Sequence, residues 1–173
     1  TIDVTAEAGS ILDLFIGGVK IIDGVKVIGT NGVYTITTPE LNDGDYSLTV
    51  KATDAAGNTS AASDELNLTV DTAAPAKPSI LTTTLTNNAT PTIEGTAEAG
   101  STVELFFDNG GETLGSAIAD ENGDFSITTP PLFDNTFSLT VKATDAAGNI
   151  SEESNLNLTV DTAAPAKPSI LTT

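Results

Sequence analysis

The residues best equipped for chemistry in this chain are its carboxylates. Twenty-four Asp and Glu stand against six basic residues, all of them Lys, giving a net charge of −18 and an isoelectric point near 4.1. Several acids sit beside Gly, Ala or Asn, as in Glu98-Ala-Gly, Asp120-Glu-Asn-Gly-Asp124 and Asp145-Ala-Ala-Gly-Asn149. Ca²⁺ takes six to eight oxygens at about 2.3–2.6 Å, mixing carboxylates with backbone carbonyls and water. Small neighbours let the backbone turn its carbonyls toward the same ion. Other chemistry is excluded by composition, since the chain has no His, Cys, Met, Trp, Arg or Gln. A Ser-His-Asp triad, a thiol nucleophile and a soft-ligand zinc or copper site are therefore ruled out. So acidic a surface, without Arg, repels nucleic acid.

These acids need a scaffold. Length of 173 residues allows one ordinary domain or two small ones. A hydrophobic content of 39% and a mean hydropathy of +0.07 are too high for a disordered acidic tail, so a packed core is expected. The longest apolar run, 11–22, is broken by Asp13, Gly17, Gly18 and Lys20, too short and interrupted for a membrane span. The start at Thr1 without Met reads as a fragment or processed product, and no signal peptide is present.

The sequence then copies itself. Residues 47–58 recur unchanged at 138–149, and Thr5-Ala-Glu-Ala-Gly-Ser10 recurs at 96–101, both 91 residues later; 66–83 recurs at 156–173, 90 residues later. That period suits one small β-domain per repeat. The predicted division is a unit at 1–70 lacking its first strand and a complete unit at 71–160, with 71–76 as the junction. The opening of a third unit follows at 161–173. Tyr46, Leu48, Val50 and Ala52 alternate with polar neighbours, as do Val103, Leu105 and Phe107, Phe125 and Ile127, and Leu156, Leu158 and Val160. Thr is assigned to the solvent face. Gly- and Asn-rich turns separate the runs. Six or seven short strands per unit predict an all-β fold of tandem Ig-like Greek-key β-sandwiches.

Gly95-Thr-Ala-Glu-Ala-Gly-Ser-Thr-Val103, Val141-Lys-Ala-Thr-Asp-Ala-Ala-Gly-Asn149 and Val70-Asp-Thr-Ala-Ala-Pro75 together resemble the bacterial Ig-like repeats of large biofilm-associated, type I-secreted (RTX-type) surface adhesins. The likeness covers the whole chain. It implies an extended array on a bacterial cell surface, Ca²⁺ at the domain junctions, and a spacer role beneath a distal adhesive module.

Topology gives calcium a separate argument. In such a sandwich the B–C, D–E and F–G loops share the pole where strand A arrives. Here these are the turns at Glu98, at 120–124 and at Asp145, and the junction at Asp71 reaches the same pole. Asp71, Glu98 and Asp145 are the expected ligand core, with Asp43 or Asp45 contributing from the E–F loop of the first unit. Glu7 and Asp54 are copies that lack a junction Asp here, so a partial or empty site is expected, and Asp161 is orphaned at the other end unless a neighbouring molecule completes it. The alternative is a solvated acidic rim serving solubility.

Further expectations concern pairing and surface. Strand A of the second unit is placed within 73–83. The first unit then has an unpaired edge and the tail 163–173 is a matching strand, so head-to-tail strand exchange between molecules is anticipated, beside contacts with neighbouring repeats. Nothing places two acids in a cleft as a glycosidase would need. Lys51 and Lys142 read as solvated charges rather than crosslinking groups. Phe15 and Phe106, out of phase with the inward positions, are expected to lie under a long solvent-facing C–D loop (17–28 and 108–118). Tyr46 stands where a tyrosine corner would form, with Phe137 in its place in the second unit. The predicted role is a non-enzymatic spacer of a secreted or cell-surface adhesin, rigidified by Ca²⁺. The competing role is a direct carbohydrate- or protein-binding module.

Overall fold

A computed structural model describes residues 1–26, 32–107 and 111–170, so the turn beginning at Asp108 and the last three residues of the tail lie outside it. The chain divides into two compact units, Thr1–Thr72 and Ala73–Thr173. All fourteen described elements are strands.

The second unit contains β7 (Ser79–Ile80), β8 (Leu85–Thr86), β9 (Thr92–Thr96), β10 (Thr102–Phe107), β11 (Thr113–Ile118), β12 (Asp124–Thr128), β13 (Asn135–Thr144) and β14 (Ser154–Val160). They form a three-stranded sheet, β12-β9-β7, and a five-stranded sheet, β11-β10-β13-β14-β8. All pairings are antiparallel except β14 with β8. Strand A is thus split. Its first half, β7, falls within the predicted span and pairs with β9; its second half, β8, lies beyond that span and crosses to the other sheet.

Alternation along the strands places the core as the sequence pattern requires. Ile93, Val103, Leu105, Phe125, Ile127, Leu139, Val141 and Leu158 are all buried, while their polar neighbours face outward. Thr140 departs from this. It has outward parity yet is fully buried, and its hydroxyl donates to Asn155 Oδ1 at 3.0 Å, which satisfies a group that burial would otherwise penalise.

The first unit contains β1 (Ile2–Thr5), β2 (Ile11–Ile16), β3 (Val19–Lys26), β4 (Val33–Ile36), β5 (Gly44–Thr53) and β6 (Leu66–Val70). Its sheets are β1-β4 and β3-β2-β5-β6. Among the described residues no strand takes the place of β7 or β8, and the core shows the difference. Leu66 is 48% exposed where its copy Leu156 is 7% exposed. Five apolar side chains form the buried core here, Leu12, Leu14, Ile36, Leu48 and Val50.

The C–D segment is a correction to the sequence reading. Rather than a loop, 19–26 is strand β3, turned onto β2 through Gly17 and Gly18, both with positive φ, and 113–118 is strand β11. Lys20 Nζ lies 2.8 Å from Asp13 and 3.1 Å from Asp23 across this hairpin. Phe15 is accordingly covered by a cation: Lys51 Nζ sits 5.5 Å from its ring centroid. Lys142 pairs instead with Glu153 at 2.8 Å. Tyr46 does form a tyrosine corner, its hydroxyl donating to Asn42 O at 2.8 Å. Phe137, without a hydroxyl, packs between Phe107 and Phe133 at centroid distances of 5.7 and 5.2 Å.

Candidate functional site

In the second unit the β-strand ladders bring three turns to one pole. These are the turns β9–β10, β11–β12 and β13–β14, and the chain arrives there through Pro78, whose carbonyl accepts from Ser154 Oγ. Each turn is organised by an acidic residue. Glu98 does so through its backbone: its carbonyl accepts from Ser101 N at 3.0 Å and Ser101 Oγ at 2.7 Å. Glu7 repeats this with Ser10 at 3.2 and 2.7 Å.

Asp145 does so through its carboxylate. Oδ1 accepts from Ala147 N at 2.9 Å and Asn149 N at 2.8 Å, and Oδ2 from Asn149 Nδ2 at 2.9 Å. Asp54 makes the same three bonds with Ala56 and Asn58 at 2.8–2.9 Å. Asp120 holds the third turn, accepting from Asn122 N at 2.8 Å and Asp124 N at 2.9 Å. The Asp-Ala-Ala-Gly-Asn motif is therefore a self-contained turn in which Asn closes on Asp.

These bonds favour the ionised acid. The Asn58 side chain foremost holds Asp54 below the usual carboxylate range, the Asn149 side chain does so for Asp145, and the Asp124 N–H for Asp120. Because folding lowers these values, the stabilisation is complete above the unfolded pKa of about 3.9 and is lost as pH falls through the lower folded value. Asp54→Asn and Asp145→Asn variants are expected to melt below the native chain at neutral pH. The gap should close as pH falls below about 4. Calorimetric scans against pH check this, and a gap that widens in acid would contradict it.

The opposite pole carries a second arrangement. Asp43 Oδ1 accepts from Thr72 N at 3.1 Å and Thr72 Oγ1 at 2.8 Å. Asp134 clasps Thr162 in the same way at 3.0 and 2.8 Å. Asp45 accepts from Thr69 Oγ1 at 2.6 Å, a cross-strand pair that Thr136 and Thr159 replace at 2.9 Å in the second unit. Asp161 donates its N–H to Thr86 O at 3.0 Å, and its Oδ1 accepts from Ala163 N at 3.1 Å. Sequence reasoning placed Asp43 at the junction but overlooked Asp134 and the clasp itself. The available signal was an Asp in both E–F loops followed 28–29 residues later by the Thr of Val-Asp-Thr.

Of the predicted ligands, Glu7 and Asp54 are brought together: both line one shallow depression with Ser10, Asn58 and Ser60. Asp71, exposed at the end of β6, belongs to the first unit, and Glu98 and Asp145 to the second. Among the described residues no three acidic side chains are grouped so that they could hold one metal ion. In their turns Asp54 and Asp145, and at the opposite pole Asp43, accept from N–H and O–H donors. A carboxylate keeps further lone pairs, so these residues retain capacity for an ion without forming a ready cage within either unit.

Residues 1–72 and 81–162 each match the family model described as the bacterial Ig-like domain. The chain belongs to that family. This Ig-like chain is 32% identical over 155 residues to chitinase A1 of Niallia circulans, a match covering 85% of this chain and 22% of the chitinase. It thus spans about a fifth of that relative's length. Its fold is that of the fibronectin(III)-like modules of Clostridium thermocellum CbhA, with a TM-score of 0.59 at 15% identity over 99% of this chain and 88% of the modules. A biofilm-associated protein BSP domain aligns at 20% identity with a TM-score of 0.42, covering 92% of this chain and 26% of that one.

Proposed function

We propose that this bacterial Ig-like chain is a structural spacer of an extracellular or cell-surface adhesin of the biofilm-associated, type I-secreted kind. The observation that carries this reading is the repeat itself. Residues 156–173 reproduce 66–83 without change, so the closing stretch of each unit's last strand, the Thr of the Asp-Thr clasp and the Ala-Ala-Pro linker recur as one cassette. Monotonous copying suits a part whose job is length, whereas a recognition site gains little from it. The Ig-like and fibronectin(III)-like folds are typical of non-catalytic domains, which accords with a mechanical role.

Calcium binding by Asp71, Glu98 and Asp145, with Asp43 or Asp45, belongs to the same proposal. A divalent ion would offset repulsion among acids in a chain of net charge −18. Calorimetric titration of the chain with Ca²⁺ is expected to show saturable heat, and small-angle scattering a larger maximum dimension with calcium than with EDTA. Absence of heat together with identical dimensions would reject calcium stiffening while leaving the spacer reading in place.

Direct carbohydrate or protein recognition is the second reading. Phe133, 69% exposed and packed edge-on against Phe137, is the feature that favours it. A glycan array probed with the whole chain separates the two, since a spacer gives no specific signal.

A further inference from the structure

Residues 71–78, Asp-Thr-Ala-Ala-Pro-Ala-Lys-Pro, lie between β6 and β7 and form no strand. Both ends of the run are held. Thr72 is clasped by Asp43, Ala73 also has a partner, and the Pro78 carbonyl accepts from Ser154 Oγ. Between them Ala74, Pro75, Ala76 and Lys77 make no hydrogen bond to any described residue. Proline sets the shape of this stretch. Pro75 and Pro78 fix their own φ and push the residues before them, Ala74 and Lys77, toward extended backbone. An endopeptidase takes its substrate in that form, as an added strand paired through backbone N–H and C=O groups.

Elimination leaves one bond. A proline nitrogen carries no N–H and its ring crowds the approach, which removes the Ala74-Pro75 and Lys77-Pro78 bonds. Pro75 and Pro78 are buried, whereas Ala76 and Lys77 are both exposed. We infer that the Ala76-Lys77 bond is a processing site for an endopeptidase whose primary pocket takes a small apolar side chain. That pocket receives the Ala76 methyl, with Pro75 preceding it. Hydrolysis adds one water across the amide and leaves an Ala76 carboxylate and a Lys77 ammonium. Burial of Pro75 makes the cut depend on local opening, and no hydrogen bond of 74–77 resists that opening.

Enzymes of other specificity find no bond in this segment. Its only basic residue, Lys77, precedes a proline, and 71–80 contains no aromatic residue. The small residues of the first unit's loops are tied down instead. Ala56 N donates to Asp54 Oδ1 at 2.9 Å, and Ala61 and Ala62 lie between Ser60 N, bonded to Ala52 O at 2.8 Å, and Ser63 N, bonded to Val50 O at 2.9 Å. The sequence of 73–80 recurs at 163–170, so the same bond returns with the repeat as Ala166-Lys167.

Limited proteolysis of the whole chain tests the inference, with fragments read by mass and N-terminal sequencing. Pancreatic elastase is expected to create a new N-terminus at Lys77, while trypsin and chymotrypsin leave 71–80 intact. Ala76→Asp puts a charge where the pocket takes a methyl and should slow this cut by about tenfold or more. Pro78→Ala restores an N–H after Lys77 and should admit trypsin there, a check on access that does not involve the elastase pocket. Elastase leaving 71–80 whole, an unchanged rate in Ala76→Asp, or trypsin failing on Pro78→Ala would each overturn the inference. The spacer role does not depend on the outcome.

Discussion

Replacing Leu139 with Ala is expected to destabilise the second unit by about 2–5 kcal/mol, the range for deleting a fully enclosed Leu side chain from a core that cannot collapse around the void. Leu139 lies on β13, hydrogen-bonded on one side to β10 and on the other to β14, and it is 0% exposed. Its strand is the centre of the five-stranded sheet, so neighbours on both sides are fixed by ladders and cannot move inward. Small domains have only about 5–15 kcal/mol of total stability. The loss should therefore lower the thermal midpoint of this unit by roughly 8–40 °C, taking about 4–8 °C per kcal/mol for a domain of this size. Differential scanning calorimetry checks it, with Leu48→Ala as the matched change in the first unit, where Leu48 is 1% exposed but the surrounding core is smaller. The Leu48 change should cost less, because its surroundings are open along β1 and β6 and can relax. Equal losses would mean that the missing cover strands do not matter to the core.

The second large effect is expected from Gly95→Val. A Cβ at this position meets the Ser79 carbonyl oxygen at 2.1 Å and the Phe125 ring at 2.6 Å. The first is backbone, which has no rotamer to change, so β7 must leave or β9 must bend. Overpacking alone costs about 1–3 kcal/mol, and departure of β7 adds the loss of its ladder and of the Ser154–Pro78 bond. Amide exchange locates the damage. Protection at Leu81 and Thr96 should fall steeply, while Leu105 and Val141, on the other sheet, keep theirs. Unchanged protection at Leu81 would show that the strand tolerates a side chain there.

Much of the fold was legible because period-two alternation is strict on the central strands. Val103, Leu105 and Phe107 face the core and Glu104 does not, which fixes the face and the register of β10. The C–D segment was misread where that alternation breaks. Bulges between Leu12 and Leu14 and between Leu14 and Phe15 shift the pairing of β2 with β3, and a bulge between Leu105 and Phe106 does the same for β10 with β11. A strand on a bulged edge loses the pattern that announces it. The split of strand A was also hidden, since two-residue strands carry no period.

The acidic residues were legible as a group but not in their local roles. Spacing indicated that Glu98, Asp145 and the copies Glu7 and Asp54 lie on turns at one pole, and the ladders put them there. What sequence could not convey is which lone pairs the turns consume. Asn149 closing on Asp145, or Thr72 on Asp43, is a matter of side-chain reach within four residues in one case and across 29 in the other.

The parallel pairing of β8 with β14 has a mechanical consequence. Tension on the second unit pulls β8 back toward the pole where the chain arrives and β14 toward the pole where it leaves. The two strands run in the same direction, so the load acts along their shared ladder rather than across it. Thr159 N to Thr84 O at 2.8 Å and Asp161 N to Thr86 O at 3.0 Å are then strained in shear and must give way together. The Asp134 clasp on Thr162 sits just beyond, where the force first reaches the fold. Resistance to rupture is thus set by a few bonds at the seam between first and last strands, and a chain under drag is held at its seams more than by its core.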